Sequence, residues 1–253
     1  MTAAQGKLYV VGLGPGAPGC LTHDASLALG AAQDIVGYAP YVARVPVVPG
    51  QTRLSSDNRV EIERARDALS RAASGRVVAV VSGGDPGVFA MAAAVFEAME
   101  QGDAAWRKLE VEVIPGVSAM QAAAARAGAP LGGDFCAISL SDNLKSWETV
   151  ARRLEHAARG DFVIALYNPA SRARPTRIFD AFAILRGLLA PRTPVVLAKA
   201  VWRAEEEIVV ADLADADLSF VDMSTLVVVG SSGTRRIERA GARPFVYTSR
   251  RAP

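Results

Sequence analysis

Short apolar runs alternate along this chain with segments in which apolar residues recur every three or four positions. In the first half, the short runs predict strands at 8–11, 34–37, 76–81 and 111–114, and the periodic segments predict helices at 22–32, 60–73, 90–100 and 118–127. Asn58 and Glu61 form a capping pair that marks the start of the second of these helices. Strands that alternate with helices are typical of an α/β domain with a largely parallel sheet.

The alternation restarts after a stretch at 129–134 that is rich in glycine and proline. Beyond it the pattern predicts strands at 136–140, 161–166, 194–200 and 226–229, edge strands at 208–211 and 245–247, and helices at 147–158 and 176–189. Because such stretches commonly separate domains, we interpret 129–134 as a linker between domains at 1–128 and 135–253. The expected fold is therefore two α/β domains with mainly parallel or mixed sheets.

The composition argues against nucleic acid, a structural metal and a membrane as partners of this chain. The chain has 253 residues, 51% of them hydrophobic, which is enough for two cores, and its net charge of +2 argues against a nucleic-acid partner. Two cysteines and two histidines are too few for a structural zinc site or a disulfide framework. No signal peptide opens the chain and no apolar run reaches the ~18 residues of a membrane span. We expect a soluble, cytoplasmic protein without a bound metal or a membrane partner.

Glycine-rich turns follow several of the predicted strands, at 12–17, 82–89 and 115–119, and Tyr167-Asn168-Pro169 closes another strand. Open α/β sheets bind ligands at the carboxyl ends of their strands. We therefore expect the turns at 82–89 and 115–119 to end adjacent parallel strands and to meet at one crevice. Each turn taken alone is equally compatible with a plain connection that touches no ligand.

The turn at 82–89 contains no lysine, so it does not resemble a triphosphate-binding loop. The turn at 12–17 matches the dinucleotide fingerprint in form, but Pro15 and Pro18 interrupt the point where the helix should begin. The acidic residue expected at the end of the second strand is also missing, because Asp34 precedes that strand. A nicotinamide-dependent oxidoreductase is therefore only a minor alternative.

Cationic side chains are the candidates for binding a polyanionic substrate, because arginine pairs with carboxylates through two hydrogen bonds. Any one of them is more often solvated than bound to a ligand. The candidates in this chain are Arg44, Arg53, Arg59, Lys145, Arg172 and Arg174. The chain has no Gly-x-Ser-x-Gly elbow, which disfavours a hydrolase triad.

Four segments together resemble the tetrapyrrole (corrin-type) methyltransferases: 10–16, 83–87, 115–119 and 225–232. The resemblance extends over essentially the whole chain. It implies two α/β domains with S-adenosylmethionine (SAM) in the cleft between them, S-adenosylhomocysteine (SAH) as the product, and a homodimer. The cofactor residues that it implies are Pro15, Gly83, Gly84, Asp85, Val88, Phe89, Ser118, Ala119, Tyr167, Asn168, Lys199, Ala200, Ser231 and Ser232.

Three further segments, 56–60, 139–145 and 167–174, resemble the members of that family that methylate C17 of precorrin-3B and contract the ring to precorrin-4. Methyl transfer to a ring carbon needs mainly alignment, which can supply roughly 7–11 kcal/mol. Ring contraction also needs proton transfer, and the sequence does not choose among His23, Asp57, Asp142 and Tyr167. The alternatives are the cobalt-dependent counterpart, a methyltransferase for another ring position, and a tetrapyrrole-binding carrier without catalysis.

Overall fold

A computed structural model describes residues 6–57, 60–171 and 173–251 of the chain. The chain divides into two compact units, Met1–Ala119 and Met120–Pro253. The capping pair predicted for the second helix involves Asn58, which lies outside the described residues.

The first unit is built on a five-stranded sheet in which every pairing is parallel. Its strands are β1 (Lys7–Gly12), β2 (Asp34–Tyr38), β3 (Thr52–Ser56), β4 (Val77–Ser82) and β5 (Glu110–Ile114), in the order β3-β2-β4-β1-β5. Its helices are α1 (His23–Ala31), α2 (Ala39–Val42), α3 (Glu61–Ala73) and α4 (Met91–Gln101), with 3-10 turns at Pro18–Cys20 and Ala104–Lys108. The helix-strand alternation confirms the predicted α/β class.

Burial on both faces explains why the central strand β4 reads as a continuous apolar run. In β4 all residues from Val78 to Ser82 are buried, since separate clusters of apolar side chains pack on the two faces of the sheet. Helix α3 buries Ala65, Leu69 and Ala72 along one face. At the amino end of β2, the fully buried Asp34 is held by Arg76 through two hydrogen bonds of 2.5 Å.

The second unit holds a mixed five-stranded sheet and a smaller three-stranded sheet. In chain order its elements are α5 (Ala119–Ala127), β6 (Gly128–Ala129), β7 (Phe135–Ser139), α6 (Trp147–Arg159), β8 (Val163–Tyr167), α7 (Arg177–Arg186), β9 (Pro194–Lys199), β10 (Glu207–Asp212), β11 (Thr225–Val229), β12 (Thr234–Arg239) and β13 (Ala242–Thr248). The strand orders are β10-β9-β11-β8-β7 and β12-β13-β6. Only β7 and β8 pair in parallel in the larger sheet, because β11 runs against both β8 and β9.

The structure differs from the sequence prediction in the second half. The expected linker at 129–134 is part of the second unit, because β6 pairs with β13 and Thr248 Oγ1 donates a hydrogen bond of 2.5 Å to the Pro130 carbonyl. The apolar run at 245–247 belongs to the central strand of its sheet and not to an edge, since it pairs with β6 on one side and with β12 on the other.

Four elements in the two halves were not predicted, because they are short or rich in polar residues. They are strands β3, β6 and β12 and helix α2.

Candidate active site

The three glycine turns of the first unit follow β4, β1 and β5, at the same edge of the sheet. Gly14 and Gly84 exchange two backbone hydrogen bonds of 3.1 and 2.9 Å, which join the turns after β1 and β4. The expectation that the turns at 82–89 and 115–119 end adjacent strands is wrong, because β1 lies between β4 and β5. The turns nevertheless meet, and the turn after β1 is the centre of the group.

Close packing of backbone against backbone explains the glycines at this edge. A Cβ atom placed on Gly12 would lie 2.7 Å from the Gly116 nitrogen and 2.8 Å from the Gly84 oxygen. A Cβ atom on Gly83 would lie 2.7 Å from the ring of Tyr41. Both distances are too short for any side chain, so glycine is required for the turns to pack on one another and on Tyr41.

Asp85 joins two of the turns through its carboxylate. Oδ1 accepts a hydrogen bond of 2.8 Å from the Gly87 nitrogen, within its own turn, and Oδ2 accepts one of 3.1 Å from the Gly116 nitrogen. The side chain is partly buried. The carboxylate therefore fixes the distance between the turns after β4 and β5, a structural role that the sequence does not indicate.

The remaining predicted cofactor residues of the first unit surround this point. Gly84 lies against Ser118 and Ala119, since a Cβ atom on it would be 3.7 Å from the Ala119 nitrogen. Pro15 and Ser118 are buried, Val88 is partly buried, and Phe89 is half exposed with a φ angle of 52°. A positive φ angle is rare for a side chain of this size and is a form of backbone strain that clusters at functional sites.

Two of the predicted substrate-binding arginines in the first unit stabilise the backbone. Arg44 Nη2 donates hydrogen bonds to the carbonyl oxygens of Leu13 (3.2 Å) and Gly14 (2.9 Å). Arg53 Nη2 donates to the carbonyl oxygens of Val42 and Val45. The guanidinium group of Arg53 is therefore engaged by the backbone at the end of α2, which makes a contact to the substrate less favourable. Arg44 supports the first glycine turn. Arg59 lies outside the described residues.

His23 and Asp57 are exposed, each after a strand of the first sheet. His23 begins α1, whose preceding residue Thr22 accepts a hydrogen bond of 3.2 Å from the Ala25 nitrogen as the N-cap. Arg64, which is only 5% exposed, donates a hydrogen bond of 2.5 Å from Nη2 to the carbonyl oxygen of Asp57. The buried guanidinium group of Arg64 thus holds the backbone at Asp57.

In the second unit, Tyr167 and Asn168 lie where the parallel strands β7 and β8 end. The Tyr167 hydroxyl oxygen accepts a hydrogen bond of 3.1 Å from the Met120 nitrogen. Asn168 has a φ angle of 52° and donates from Nδ2 to Ser139 Oγ at 2.9 Å. Ser139 is buried and was not among the predicted site residues. The structure thus adds Ser139 to this edge as the support of Asn168.

Lys199 and Ala200 lie at the same edge, because β9 and β8 both run against β11. Lys199 Nζ forms an ion pair of 2.8 Å with Asp222, and Ala200, with a φ angle of 47°, donates from its backbone nitrogen to the Ser224 carbonyl at 3.0 Å. Burial raises the pKa of the Asp222 carboxyl, but hydrogen bonds from Lys199 and Ser224 outweigh it and leave the pKa below its ordinary value. Sequence reasoning missed the turn at 222–224, because its position depends on the direction of β11.

Ser231 and Ser232 lie at the opposite edge of this sheet, which contradicts their grouping with Tyr167 and Ala200. Strand β11 runs against β8, so the residues after Val229 reach the beginning of β8. Ser232 Oγ accordingly donates to Asp161 Oδ2 at 2.5 Å. The five residues of β8 span about 16 Å at ~3.3 Å per residue. The two serines are therefore separated by about that length from the predicted cofactor residues at the other edge, which are Tyr167, Asn168, Lys199 and Ala200.

Asp142 is bound by arginines after β7, which makes it a poor proton donor. Its carboxylate accepts hydrogen bonds of 2.9 and 2.7 Å from Arg177, and Arg174 Nε lies 3.4 Å from its other oxygen. Burial raises the pKa of Asp142, but the hydrogen bonds from Arg177 and the charge of Arg174 outweigh it, so the pKa is below its ordinary value. Arg174 therefore contacts a carboxylate of the protein itself, whereas Arg172 lies outside the described residues.

Lys145 precedes α6 and is partly buried. Burial lowers the pKa of its ammonium group, and the charge of Arg153 lowers it further. A partly desolvated cation that repels a neighbouring cation gains from an anionic partner. Lys145 therefore remains compatible with the predicted substrate carboxylate.

The described residues contain neither a cluster of metal-binding side chains nor a membrane-spanning helix. Within 6–57, 60–171 and 173–251, no group of three or more His, Cys, Asp or Glu side chains could hold a metal ion. Over the same ranges, no helix is long and apolar enough to cross a membrane.

Glycine turns packed at the carboxyl edge of a parallel sheet are typical of the class of α/β proteins that bind a small molecule at that edge. A sequence profile of the family described as Tetrapyrrole (Corrin/Porphyrin) Methylases matches residues 7–217. The chain belongs to this family and is a methyltransferase with the tetrapyrrole methylase fold. The family resemblance stated from the sequence is thereby confirmed.

Three similar proteins have informative names. The chain is 54% identical over 245 residues to a precorrin-3B C(17)-methyltransferase of Sinorhizobium sp, covering 97% of this chain and 96% of the relative. It is 50% identical to the solved structure of the methyltransferase CobJ, with a TM-score of 0.92, covering 96% of this chain and all of that one. A uroporphyrin-III C-methyltransferase of Thermus thermophilus, solved with S-adenosylhomocysteine, has a TM-score of 0.66 at 23% identity, covering 89% of this chain and 92% of its own, and shows the fold alone.

Proposed function

We propose that this methyltransferase transfers a methyl group from SAM to C17 of precorrin-3B and contracts the macrocycle to give precorrin-4, in the biosynthesis of cobalamin. The observation that carries the proposal is the 54% identity, over nearly the full length of both chains, to a relative that bears the name of this reaction. The segments at 139–145 and 167–174 suggested the same reaction, and their first residues, Ser139 and Tyr167, are the last residues of the parallel strands β7 and β8.

The joined glycine turns of the first unit fit a SAM molecule. The turns at 12–17, 82–89 and 115–119 contain neither lysine nor arginine, so they lack the cation with which a triphosphate-binding loop holds its ligand. Their one carboxylate, Asp85, is held between two turns. Gly84, Ser118 and Ala119 are close to it and are the residues that we propose for holding the cofactor. When bound, SAM supplies an electrophilic methyl group.

The protein's contribution to methyl transfer is then alignment of donor and acceptor, since a displacement at the methyl carbon needs no covalent bond to the enzyme. Rigid turns serve this purpose, because two hydrogen bonds between Gly14 and Gly84 and two to Asp85 fix them in advance. The ring carbon must be presented to the methyl group by the substrate-binding residues.

For proton transfer during ring contraction we propose Tyr167. Its hydroxyl group, which accepts the Met120 N–H at the end of β8, can both donate and accept a proton. Asp142 is unsuited, because two arginines keep it ionised. His23 and Asp57 are exposed and remain candidates from the sequence. Lys145 is our proposal for a contact to a substrate carboxylate.

Calorimetric titration with SAM and with SAH tests the cofactor assignment, and micromolar binding of either is expected. Incubation with metal-free precorrin-3B and SAM, followed by mass and absorbance spectra, tests the reaction. One added methyl group with the spectral change of ring contraction is expected. Methylation without that change, or reaction only with the cobalt-containing substrate, would overturn the assigned step.

The tyrosine assignment has its own test, because Tyr167→Phe removes the proton and keeps the ring. We expect the variant to slow contraction by more than it slows methylation, both measured at saturating SAM. Normal contraction would reject the role. We also propose a homodimer, which the resemblance implies, and sedimentation equilibrium of the purified chain tests it. A cytoplasmic location, expected from the sequence, is proposed as well.

A further inference from the structure

A strained turn follows β9 at the carboxyl edge of the second unit's larger sheet. Ala200 and Trp202 have φ angles of 47° and 60°, although neither is glycine. Left-handed conformations of such residues are costly and persist only where surrounding contacts impose them. Ala200 is also one of the cofactor residues that the family resemblance implies, so the contacts that impose its conformation bear on the function.

Glu206 supplies one of these contacts. Its Oε2 atom accepts a hydrogen bond of 2.7 Å from the Trp202 nitrogen, across the turn. Its Oε1 atom accepts hydrogen bonds of 2.5 and 2.9 Å from Nη2 and Nε of Arg126. Burial raises the pKa of Glu206, but the hydrogen bonds from Arg126 and from Trp202 outweigh it, and the carboxyl pKa is below its ordinary value. The carboxylate is thus ionised and engaged on both sides.

Arg126 connects this carboxylate to helix α5. The last turn of the helix carries Arg126, and the Arg126 carbonyl oxygen accepts a hydrogen bond of 2.5 Å from Arg243 Nη2. Near the start of the same helix, the Met120 nitrogen donates to the Tyr167 hydroxyl. One helix is therefore attached to the end of β8 and to the turn after β9, which are the two places where the second unit presents its proposed cofactor residues.

We propose that Glu206, with Arg126, is a positioning residue for cofactor binding. It holds the Trp202 nitrogen, and through it the left-handed conformation at Ala200, in the geometry that SAM requires. The proposal rests on the proposed function, since it assigns a supporting pair to the same cofactor residues. Neither residue was among those predicted from the sequence, because they are 80 positions apart.

The test compares the affinity for SAH of Glu206→Gln with that of the natural chain, by calorimetry. Glutamine has the same shape but only one acceptor oxygen, so it cannot serve Arg126 and Trp202 together, and a loss of about tenfold or more in affinity is expected. Asp212→Asn is the matched control, because Asp212 pairs with Arg236 in the same unit with similar exposure. Its affinity is expected to stay within about twofold.

Two further readouts separate positioning from general stability. Ala200→Gly removes the cost of the positive φ angle, so adding it to Glu206→Gln should restore most of the lost affinity. Hydrogen exchange should show faster exchange at the Trp202 amide in Glu206→Gln, whether or not the protein binds SAH. Unchanged exchange and unchanged affinity in Glu206→Gln would each overturn the proposal. Failure of the natural chain to bind SAH would instead overturn the proposed function, and the exchange experiment would still test the turn.

Discussion

Asp85 is the residue whose replacement tests the described site most directly. The change Asp85→Ala removes the acceptors of the Gly87 and Gly116 amides, at 2.8 and 3.1 Å. Hydrogen bonds to charged groups contribute about 1.5–3 kcal/mol each. Because the Gly87 bond is exposed and water can replace it, we expect the free energy of unfolding to fall by about 2–3 kcal/mol in total and not by the sum of two full values.

The affinity for SAH should fall by a factor of about 10–100, since 1.4 kcal/mol corresponds to tenfold and the loosened turns must be ordered again on binding. Urea denaturation and calorimetric titration measure the two effects on the same samples. Asp103→Ala is the matched control, because Asp103 Oδ1 accepts one backbone hydrogen bond of 2.8 Å, from Ala105, in the same unit and away from the turns.

An Asp85→Ala protein with natural stability and natural affinity would contradict both expectations. A protein with reduced stability but natural affinity would show that the bridge between the turns does not matter for the cofactor. Asp85→Asn separates the contributions of the two hydrogen bonds, because asparagine keeps one of the two acceptor oxygens. An affinity between those of the alanine variant and the natural chain is therefore expected.

Three other substitutions test the fold and its edges. Gly116→Ala would place a methyl group against the Gly84 oxygen, and overpacking should destabilise the chain by about 1–3 kcal/mol in urea denaturation. Arg76 lowers the pKa of Asp34 below its ordinary value of 3.8. The ion pair therefore stabilises the fold fully above that pH, and its contribution is lost as the pH falls through the lower pKa of the folded state. Because Asp34→Asn has no carboxylate to protonate, its free energy of unfolding should decrease less below about pH 4 than that of the natural chain. Ser232→Ala should leave the affinity for SAH unchanged, and a tenfold loss would contradict its placement at the opposite edge.

Much of the fold could be predicted from the sequence, because buried parallel strands leave a clear signal. The residues of β4 form a continuous apolar run, and a glycine turn follows them. Strand β3 leaves no such signal, since its sequence Thr-Arg-Leu-Ser-Ser at the sheet edge is only partly buried. The pairing of β6 with β13 could not be predicted either, because two residues carry no periodicity.

Part of the candidate site could also be predicted. The glycine turns identify the binding edge of the first unit, where strand direction follows from the helix-strand alternation. In the second unit that rule fails, because β11 is reached through a turn at 222–224 and runs against its neighbours. Ser231 and Ser232 follow a strand, as Tyr167 and Lys199 do, but they follow one that points the other way. A position at the end of a strand indicates a shared site only when the strands are parallel.

Some glycines and arginines that resemble ligand-binding residues in the sequence make contacts within the protein instead. Gly12 and Gly116 are needed because the turns touch each other, and Arg53 binds carbonyl oxygens of its own chain. Residue types that commonly bind ligands thus stabilise the loops of this chain through contacts within the protein. Because a ligand can use a rigid edge without ordering it, these internal contacts favour binding by reducing its entropic cost. Residues that hold these loops can therefore affect cofactor binding without touching the cofactor, and replacement of Glu206 measures that effect.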